Sequence, residues 1–135
     1  MTNRTADWIG MAALLLAFLI AAVTIFINVP RHDDVMAMQM VPGADPEKAP
    51  AAIRAYGCGT CHTIPGIPGA NGTVGPKLDR MGSQSFLAGQ LSNTPDNLIN
   101  WIQRPQELRP GVDMPDMGVS LQDARNIAAY LYSVH

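Results

Sequence analysis

Cys58-Gly-Thr-Cys61-His62 is the segment whose residue types and spacing point most directly to chemistry. Two thiols three residues apart lie about one helical turn from each other, so both can reach the two vinyl groups of one porphyrin. The next residue brings an imidazole, a standard axial ligand of haem iron. Cys-x-x-Cys-His is the attachment signature of a c-type haem, and the sequence therefore implies one covalently held haem c. Three other chemistries use a Cys-x-x-Cys pair. A thioredoxin-like redox pair expects a βαβ context, and no strand pattern precedes Cys58. A structural zinc site takes four ligands. Beyond the two cysteines the chain offers three histidines and scattered carboxylates, with no second ligand pair. A plain disulfide leaves His62 without a role.

An iron held by His62 has a second axial position, to be filled from well downstream as the chain wraps around the haem. Met114 stands in Arg109-Pro-Gly-Val-Asp-Met114-Pro115-Asp116, a loop rich in proline and glycine between two helical segments. Pro115 biases it toward an extended conformation, which suits a ligand presented from a loop. Met117 competes for the role and Met81 competes more weakly, since methionine is more often core filler. Met36, Met38 and Met40 alternate further upstream. Thioethers suit Cu(I), but His32 is the only other soft-metal ligand nearby. A short extended segment packing one face on a neighbour accounts for the same spacing.

The elements that must position these residues begin with an anchor. Trp8 to Val29 is a 22-residue run without a charge, in which Thr24 and Asn28 are the clearly polar side chains. As a helix it is ~33 Å long, enough for a hydrocarbon core of ~30 Å. Trp8 sits where an interfacial aromatic belongs, and Pro30 is expected to end the helix. A secretory signal has an apolar region of roughly 7–15 residues. The run is longer than that, and Ala21-Ala22 make a poor cleavage site. Residues 1–30 are therefore expected to be an uncleaved transmembrane anchor. Arg4 before the span and Arg31 after it leave the charge rule for orientation nearly tied.

Residues 31–50 carry charges, prolines and a glycine with no lasting periodicity, and are expected to be a linker. Residues 51–135 are expected to form the folded domain, small enough that its apolar core alone is marginal. Ala51–Tyr56 reads as a helix running into Gly57. Thr94 and Pro95 start another, carrying Leu98, Ile99, Trp101 and Ile102 and stopping before Pro105. Ser120 and Asp123 open the last as a variant capping box. Leu121, Ala124, Ile127, Ala128, Leu131 and Val134 then form an apolar face. A shorter helix is expected around Ser83–Leu91, and no strand is expected. Ile64–Pro76 is a loop with glycines at 66, 69, 72 and 75. It is either a mobile linker or a segment whose glycines let backbone approach a flat ligand.

Composition sets the outer bounds. The chain has 135 residues, with 47% hydrophobic and only 15% charged, against about 25% charged in an average soluble domain. Mean hydropathy is +0.07, too low for a polytopic membrane protein, so the apolar excess belongs to the one N-terminal run. A net charge of −2 and a pI of about 5.8 argue against nucleic-acid binding, which calls for a basic face.

From about Ala51 to Val134 the sequence resembles the class I cytochromes c. The residues that carry the resemblance are Cys58–His62, Gly75-Pro76, Met114-Pro115 and Ala129-Tyr130-Leu131. Gly72–Leu78, Ser92–Asn97 and Trp101–Gln106 are more narrowly similar to the cytochrome c domain fused to subunit II of some bacterial haem–copper oxidases. The resemblance implies an all-α fold of about four short helices around one haem, preceded here by the single transmembrane helix. It implies that Cys58 and Cys61 bind the cofactor, that His62 and Met114 ligate the iron, and that the Pro76 carbonyl holds the other nitrogen of His62. It also implies that Trp101 lies near the haem, and that the first and last helices cross with Tyr56 and Tyr130 near the contact.

The implied role is a membrane-anchored electron carrier rather than an enzyme. Its expected partners are the membrane and respiratory complexes, namely a quinol–cytochrome c reductase and a haem–copper oxidase. Haem attachment in this family occurs outside the cytoplasm. The haem domain is therefore expected on the periplasmic or outer face of the cell membrane, with the Arg4 tail cytoplasmic. One departure stands out. The fused subunits carry a dinuclear copper domain that needs two further cysteines, and this sequence has none to spare. The chain is thus expected to be the cytochrome part on its own anchor. Gas sensing or haem catalysis would need an open sixth position, against which the Met114-Pro115 loop argues. An assembly subunit would use the haem as a folding staple and Met36, Met38 and Met40 for copper.

Overall fold

The computed structural model describes residues 4–29 and 32–134. The chain divides into two compact units, Met1–Arg31 and His32–His135.

The first unit is one helix, α1 (Arg4–Asn28). Its alanines and leucines are strong helix formers. Within it Trp8–Ile27 has 20 residues and a mean hydropathy of 2.7, so it is ~30 Å long. Its large apolar side chains stand exposed, Phe18, Phe26 and Trp8 among them. Such a surface calls for an apolar solvent, and the helix is compatible with a single membrane span. Thr24 does not break this pattern, because its hydroxyl donates to the Ala21 carbonyl at 2.8 Å within the helix. That satisfies a polar group where lipid cannot. Pro30 and Arg31 lie outside the described residues.

In the second unit the segment expected to be a linker is ordered. Residues His32–Met40 form α2, and Pro46–Lys48 form a 3₁₀ turn capped by Asp45, whose Oδ1 accepts from the Glu47 N–H at 3.2 Å. Periodicity hid α2 because its buried side is narrow. Ala37 and Val41, one turn apart, are each 1% exposed, while Met36, Met38 and Met40 are exposed. The three methionines thus stand on a helix rather than on the extended segment their alternation implied. Helix α2 owes its place to packing on α6 (Leu121–Ser133), the usual source of helical stability in short segments.

Helix α6 is the post of this unit. Helices α2, α3 (Ala49–Ala55) and α4 (Pro95–Gln103) and the Pro46–Lys48 turn all pack on it. Its buried residues therefore run beyond one apolar face. Ala129 and Tyr132 are buried as well, and Leu121, expected on the apolar face, is 49% exposed. Its N-terminus is capped as expected. The Ser120 Oγ accepts from the Asp123 N–H at 3.1 Å and donates to Asp123 Oδ2 at 2.7 Å. The Tyr56 hydroxyl, just past α3, donates to the same carboxylate at 2.8 Å. These two donors, Ser120 first, hold the Asp123 carboxyl below its usual range. Helix α4 also starts as expected, with the Thr94 hydroxyl accepting from Asn97 N–H at 3.2 Å. A single turn, α5 (Pro105–Leu108), follows it.

The helix expected over Ser83–Leu91 is not formed. A 3₁₀ turn at Met81–Ser83 leads into a two-stranded hairpin, β1 (Phe86–Leu87) with β2 (Leu91–Ser92). Ala88 and Gly89 both have positive φ, 48° and 75°, the left-handed pair that a tight hairpin turn demands. Asn93 fixes the hairpin's base. Its Nδ2 donates to the carbonyls of Met81 and Gln84 at 2.7 and 2.8 Å, and its Oδ1 accepts from Tyr132 OH at 2.7 Å. Burial pushes the Tyr132 pKa up to about 12, so this hydroxyl stays a donor.

Asn126 is a polar residue inside the core, 2% exposed. Its Oδ1 accepts from the Asp45 N–H at 2.8 Å and from Gln122 Nε2 at 3.0 Å, and that Nε2 also donates to the Gly43 carbonyl at 2.8 Å. The pair staples residues 43–45, and α2 with them, to α6. Replacing Asn126 by alanine removes the partner of the part-buried Asp45 N–H. We expect a loss of about 1–3 kcal/mol in stability, read as a lower urea midpoint of the full-length protein. A change under about 0.5 kcal/mol would show that this staple does not hold the segment.

Candidate functional site

The Cys58–His62 turn is built by local geometry. Helix α3 ends at Gly57, which takes φ 70°, a conformation glycine adopts without steric cost. Cys58–Thr60 then make a 3₁₀ turn, closed by the Cys61 and His62 N–H groups on the Cys58 carbonyl at 3.3 and 3.0 Å. The Thr60 hydroxyl donates back to the Gly57 carbonyl at 2.8 Å. Both cysteines are free and half-buried. Burial pushes the Cys58 thiol up, partly offset by a backbone hydrogen bond and assisted by the nearby Cys61.

His62 is oriented by one contact. Its Nδ1 lies 2.7 Å from the Pro76 carbonyl oxygen. A carbonyl only accepts, so Nδ1 carries the proton and the neutral ring presents a lone pair at Nε2 alone. This is the tautomer a metal-bound histidine uses, and backbone carbonyls commonly fix it.

The Ile64–Pro76 loop is pinned rather than mobile. Thr63 Oγ1 donates to the Gly72 carbonyl at 2.9 Å. The N–H groups of Gly72, Gly75 and Leu78 donate to the carbonyls of Gly59, Cys61 and Thr63 at 3.1, 2.8 and 2.9 Å. The glycines permit this close approach. A Cβ on Gly75 would run into the His62 ring, 2.6 Å from Nδ1, and one on Gly72 would meet the Thr60 and Cys61 backbone. Gly59 is closed in the same way, by Ala70 at 2.8 Å. Their open space thus goes to the Cys58–His62 turn itself. Tyr130 of α6 ties the loop down from the other side, its hydroxyl donating to the Pro65 carbonyl at 2.7 Å.

Met114 comes from a separate segment, the 109–120 loop between α5 and α6, and is half-exposed. Gln106 on α5 holds that loop: its Nε2 donates to the carbonyls of Val112 and Met114 at 2.6 and 2.7 Å. Of the competitors, Met81 is 5% exposed within the core and Met117 is 42% exposed. Trp101 is half-buried on α4. The fold brings Pro76 onto His62 beside the two cysteines. Gln106, which shapes the Met114 loop, carried no signal of that role in the sequence, although it closes the Trp101–Gln106 motif.

Among the described residues no group of three or more His, Cys, Asp or Glu could hold a metal ion. The donor set does fit a c-type haem: two free thiols on one turn, an adjacent imidazole limited to Nε2, and a glycine at 75 that leaves room for the ring. A pocket of about 380 Å³ borders the same turn, lined by Arg54, Gly59, Thr60, Pro68 and Asn71 among others; neither cysteine nor His62 lines it.

Comparison with known proteins agrees with this chemistry. The family model for cytochrome c matches residues 47–135. The chain is 37% identical over 79 residues to cytochrome c oxidase subunit 2 of Alkalihalophilus pseudofirmus, a match covering 57% of this chain and 22% of that protein. The chain thus spans about a fifth of the relative's length. No solved structure matches it.

Replacing Gly75 by alanine puts a methyl group into the His62 ring unless the ring or the loop moves. We expect a clear drop in the fraction of chains carrying covalent haem and a loss of about 1–3 kcal/mol in what does form. Haem staining of denaturing gels reads the first and urea titration the second. Gly82→Ala is the control, since its Cβ would meet its nearest neighbour at an ordinary 3.5 Å. Equal haem loading in both variants would refute the steric role of Gly75.

Proposed function

Because the chain belongs to the cytochrome c family, whose domain carries electrons on a covalently attached haem c, we propose that it is a membrane-anchored respiratory carrier that delivers single electrons to a haem–copper oxidase. The single observation that carries the site assignment is the bond from His62 Nδ1 to the Pro76 carbonyl at 2.7 Å. It leaves one nitrogen, in one orientation, beside two thiols.

On this reading the Cys58 and Cys61 thiols would hold the haem covalently, each as a thioether to one of its vinyl groups. His62 Nε2 and the Met114 thioether would hold the iron. The bound haem supplies a one-electron couple between ferric and ferrous iron, and His/Met ligation raises its potential. The protein's task is to keep both ligands in place through the cycle. Pro76 does so for the imidazole and the Met114-Pro115 backbone for the thioether. Trp101 on α4 is offered as a neighbour of the haem. The resemblance to an oxidase subunit, together with Gly72–Leu78, Ser92–Asn97 and Trp101–Gln106, supports the oxidase as acceptor and a quinol–cytochrome c reductase as donor. With His62 and Met114 both holding the iron, the site would suit a carrier rather than an enzyme. Helix α1 would place the domain at the membrane, on the outer face where haem attachment occurs. Tethering there makes encounter with a partner effectively intramolecular.

Substituting Met114 by alanine is expected to lower the reduction potential and to let the reduced protein bind carbon monoxide. An unchanged potential with no carbon monoxide binding would remove Met114 from the ligand set. Purification from native membranes in mild detergent, with every accompanying subunit and cofactor identified, tests the partner. We expect haem–copper oxidase subunits to accompany the chain, or the isolated chain to reduce that oxidase directly. A haem-loaded chain that does neither would overturn the oxidase assignment.

A further inference from the structure

We propose that Gln106 is the positioning residue for the Met114 ligand, clamping the ligand loop so that the thioether stays on the iron. This rests on the assignment of Met114 above. Gln106 sits on the single turn α5 and is half-buried. Its side-chain amide spends all its hydrogen-bonding groups on one short stretch of backbone. Nε2 donates to the Val112 carbonyl at 2.6 Å and to the Met114 carbonyl at 2.7 Å. Oε1 accepts from the Gly111 N–H at 3.2 Å. The residue's own N–H donates to Asp116 Oδ1 at 3.1 Å. One residue therefore grips the loop at four points on both sides of Met114.

The loop needs this because it has little of its own. Within residues 110–119 the one backbone–backbone hydrogen bond among the described residues is Val112 N–H to the Arg109 carbonyl, at 3.3 Å. Pro110 and Pro115 have no N–H to give. Further out the loop is moored by Gln103 Nε2 on the Val119 carbonyl at 3.2 Å and by Arg109 on the Ala88 carbonyl at 3.1 Å. Fixing the Met114 carbonyl fixes the backbone angle that aims its Cα–Cβ bond, and Pro115 already confines that angle to the extended range. No other side chain of this length supplies two donors and one acceptor in a plane. Glutamate lacks the donors and lysine lacks the acceptor.

A thioether is a neutral ligand, so its hold on the iron depends on how often the loop lets go. Removing the clamp raises the population of the open loop, which an external ligand then captures. The test uses the full-length haem-loaded protein with Gln106→Leu, which removes all three side-chain bonds, and Gln106→Glu, which keeps the length and the acceptor but loses both donors. Met114→Ala and Asn126→Ala accompany them. The readouts are imidazole affinity of the ferric protein, the methionine–ferric charge-transfer band, and the reduction potential. Both Gln106 variants are expected to bind imidazole about tenfold more tightly, the worth of one to two ordinary hydrogen bonds, with a weaker charge-transfer band and a lower potential. Asn126→Ala, which loosens the fold elsewhere, should leave all three unmoved.

If Met114→Ala abolishes the band while whichever Gln106 variant folds keeps wild-type imidazole affinity and potential, the clamp is refuted and the ligand assignment stands. If Met114→Ala keeps the band, the ligand assignment falls and takes the clamp with it. If Asn126→Ala shifts imidazole affinity as far as the Gln106 variants do, the effect is general destabilisation and the positioning role is refuted.

Discussion

The hydrogen bond from His62 to the Pro76 carbonyl imposes its requirements on the chain around it. To bring that carbonyl to 2.7 Å of Nδ1, the Ile64–Pro76 loop must fold back over the Cys58–His62 turn. No side chain fits between the two, which fixes glycine at 72 and 75. The returning loop then needs an anchor of its own, and Tyr130 supplies it from α6 through the Pro65 carbonyl. Gly66 passes directly beneath that hydroxyl with φ 74°, where a Cβ would come within 2.6 Å of the tyrosine oxygen. The glycine spacing of the loop is thus a consequence of backbone meeting backbone and ring.

The same dependence reaches into the core through α6. This helix holds Tyr130 for the loop, Tyr132 for the hairpin base through Asn93, Asp123 for the end of α3 through Tyr56, and Asn126 for residues 43–45. Apolar packing brings the elements together, and side-chain hydrogen bonds to α6 then fix them. A domain of this size has little apolar area to spare, so such bonds settle which packing is adopted as well as how tightly. A buried polar group must be satisfied to be tolerated, and no buried side-chain polar atom among the described residues lacks a partner.

What the sequence made legible follows from how local each signal is. The Cys58–His62 spacing, the Ser120 cap, the helix start at Asn93–Asp96 and the N-terminal apolar run are each contained in a few residues or in one period. All of them appear in the fold. Helix α2 was not legible, because among its described side chains Ala37, with Val41 just beyond, marks the buried side, and the helix packs on α6, some eighty residues away. The hairpin at 86–92 was hidden because a left-handed alanine at 88 is licensed by its surroundings and by no propensity of its own. Asn126 reads as an ordinary polar position in a helical pattern; its burial follows from a partner at Asp45. Gln106 was visible as part of a motif, but its work is done on a loop whose shape the sequence does not spell out. Local chemistry was readable and non-local satisfaction was not.

These two lessons meet at the proposed axial pair. The ligand that was legible from spacing, His62, is backed by a backbone carbonyl from a loop pinned at many points. The ligand proposed from loop context, Met114, is backed by a glutamine amide on a loop with almost no backbone hydrogen bonds of its own. An electron carrier gains from such an arrangement, because a change of one charge on the iron should move its ligands as little as its surroundings allow. Preorganised polar groups lower the reorganisation that charge change would otherwise demand. The two sides are held by different means. On the histidine side the restraint is steric and distributed, so it yields only if several contacts yield together. On the methionine side it is concentrated in one side chain. On the proposed assignment, an exchange of ligands at the iron would open the thioether side first and leave the imidazole in place.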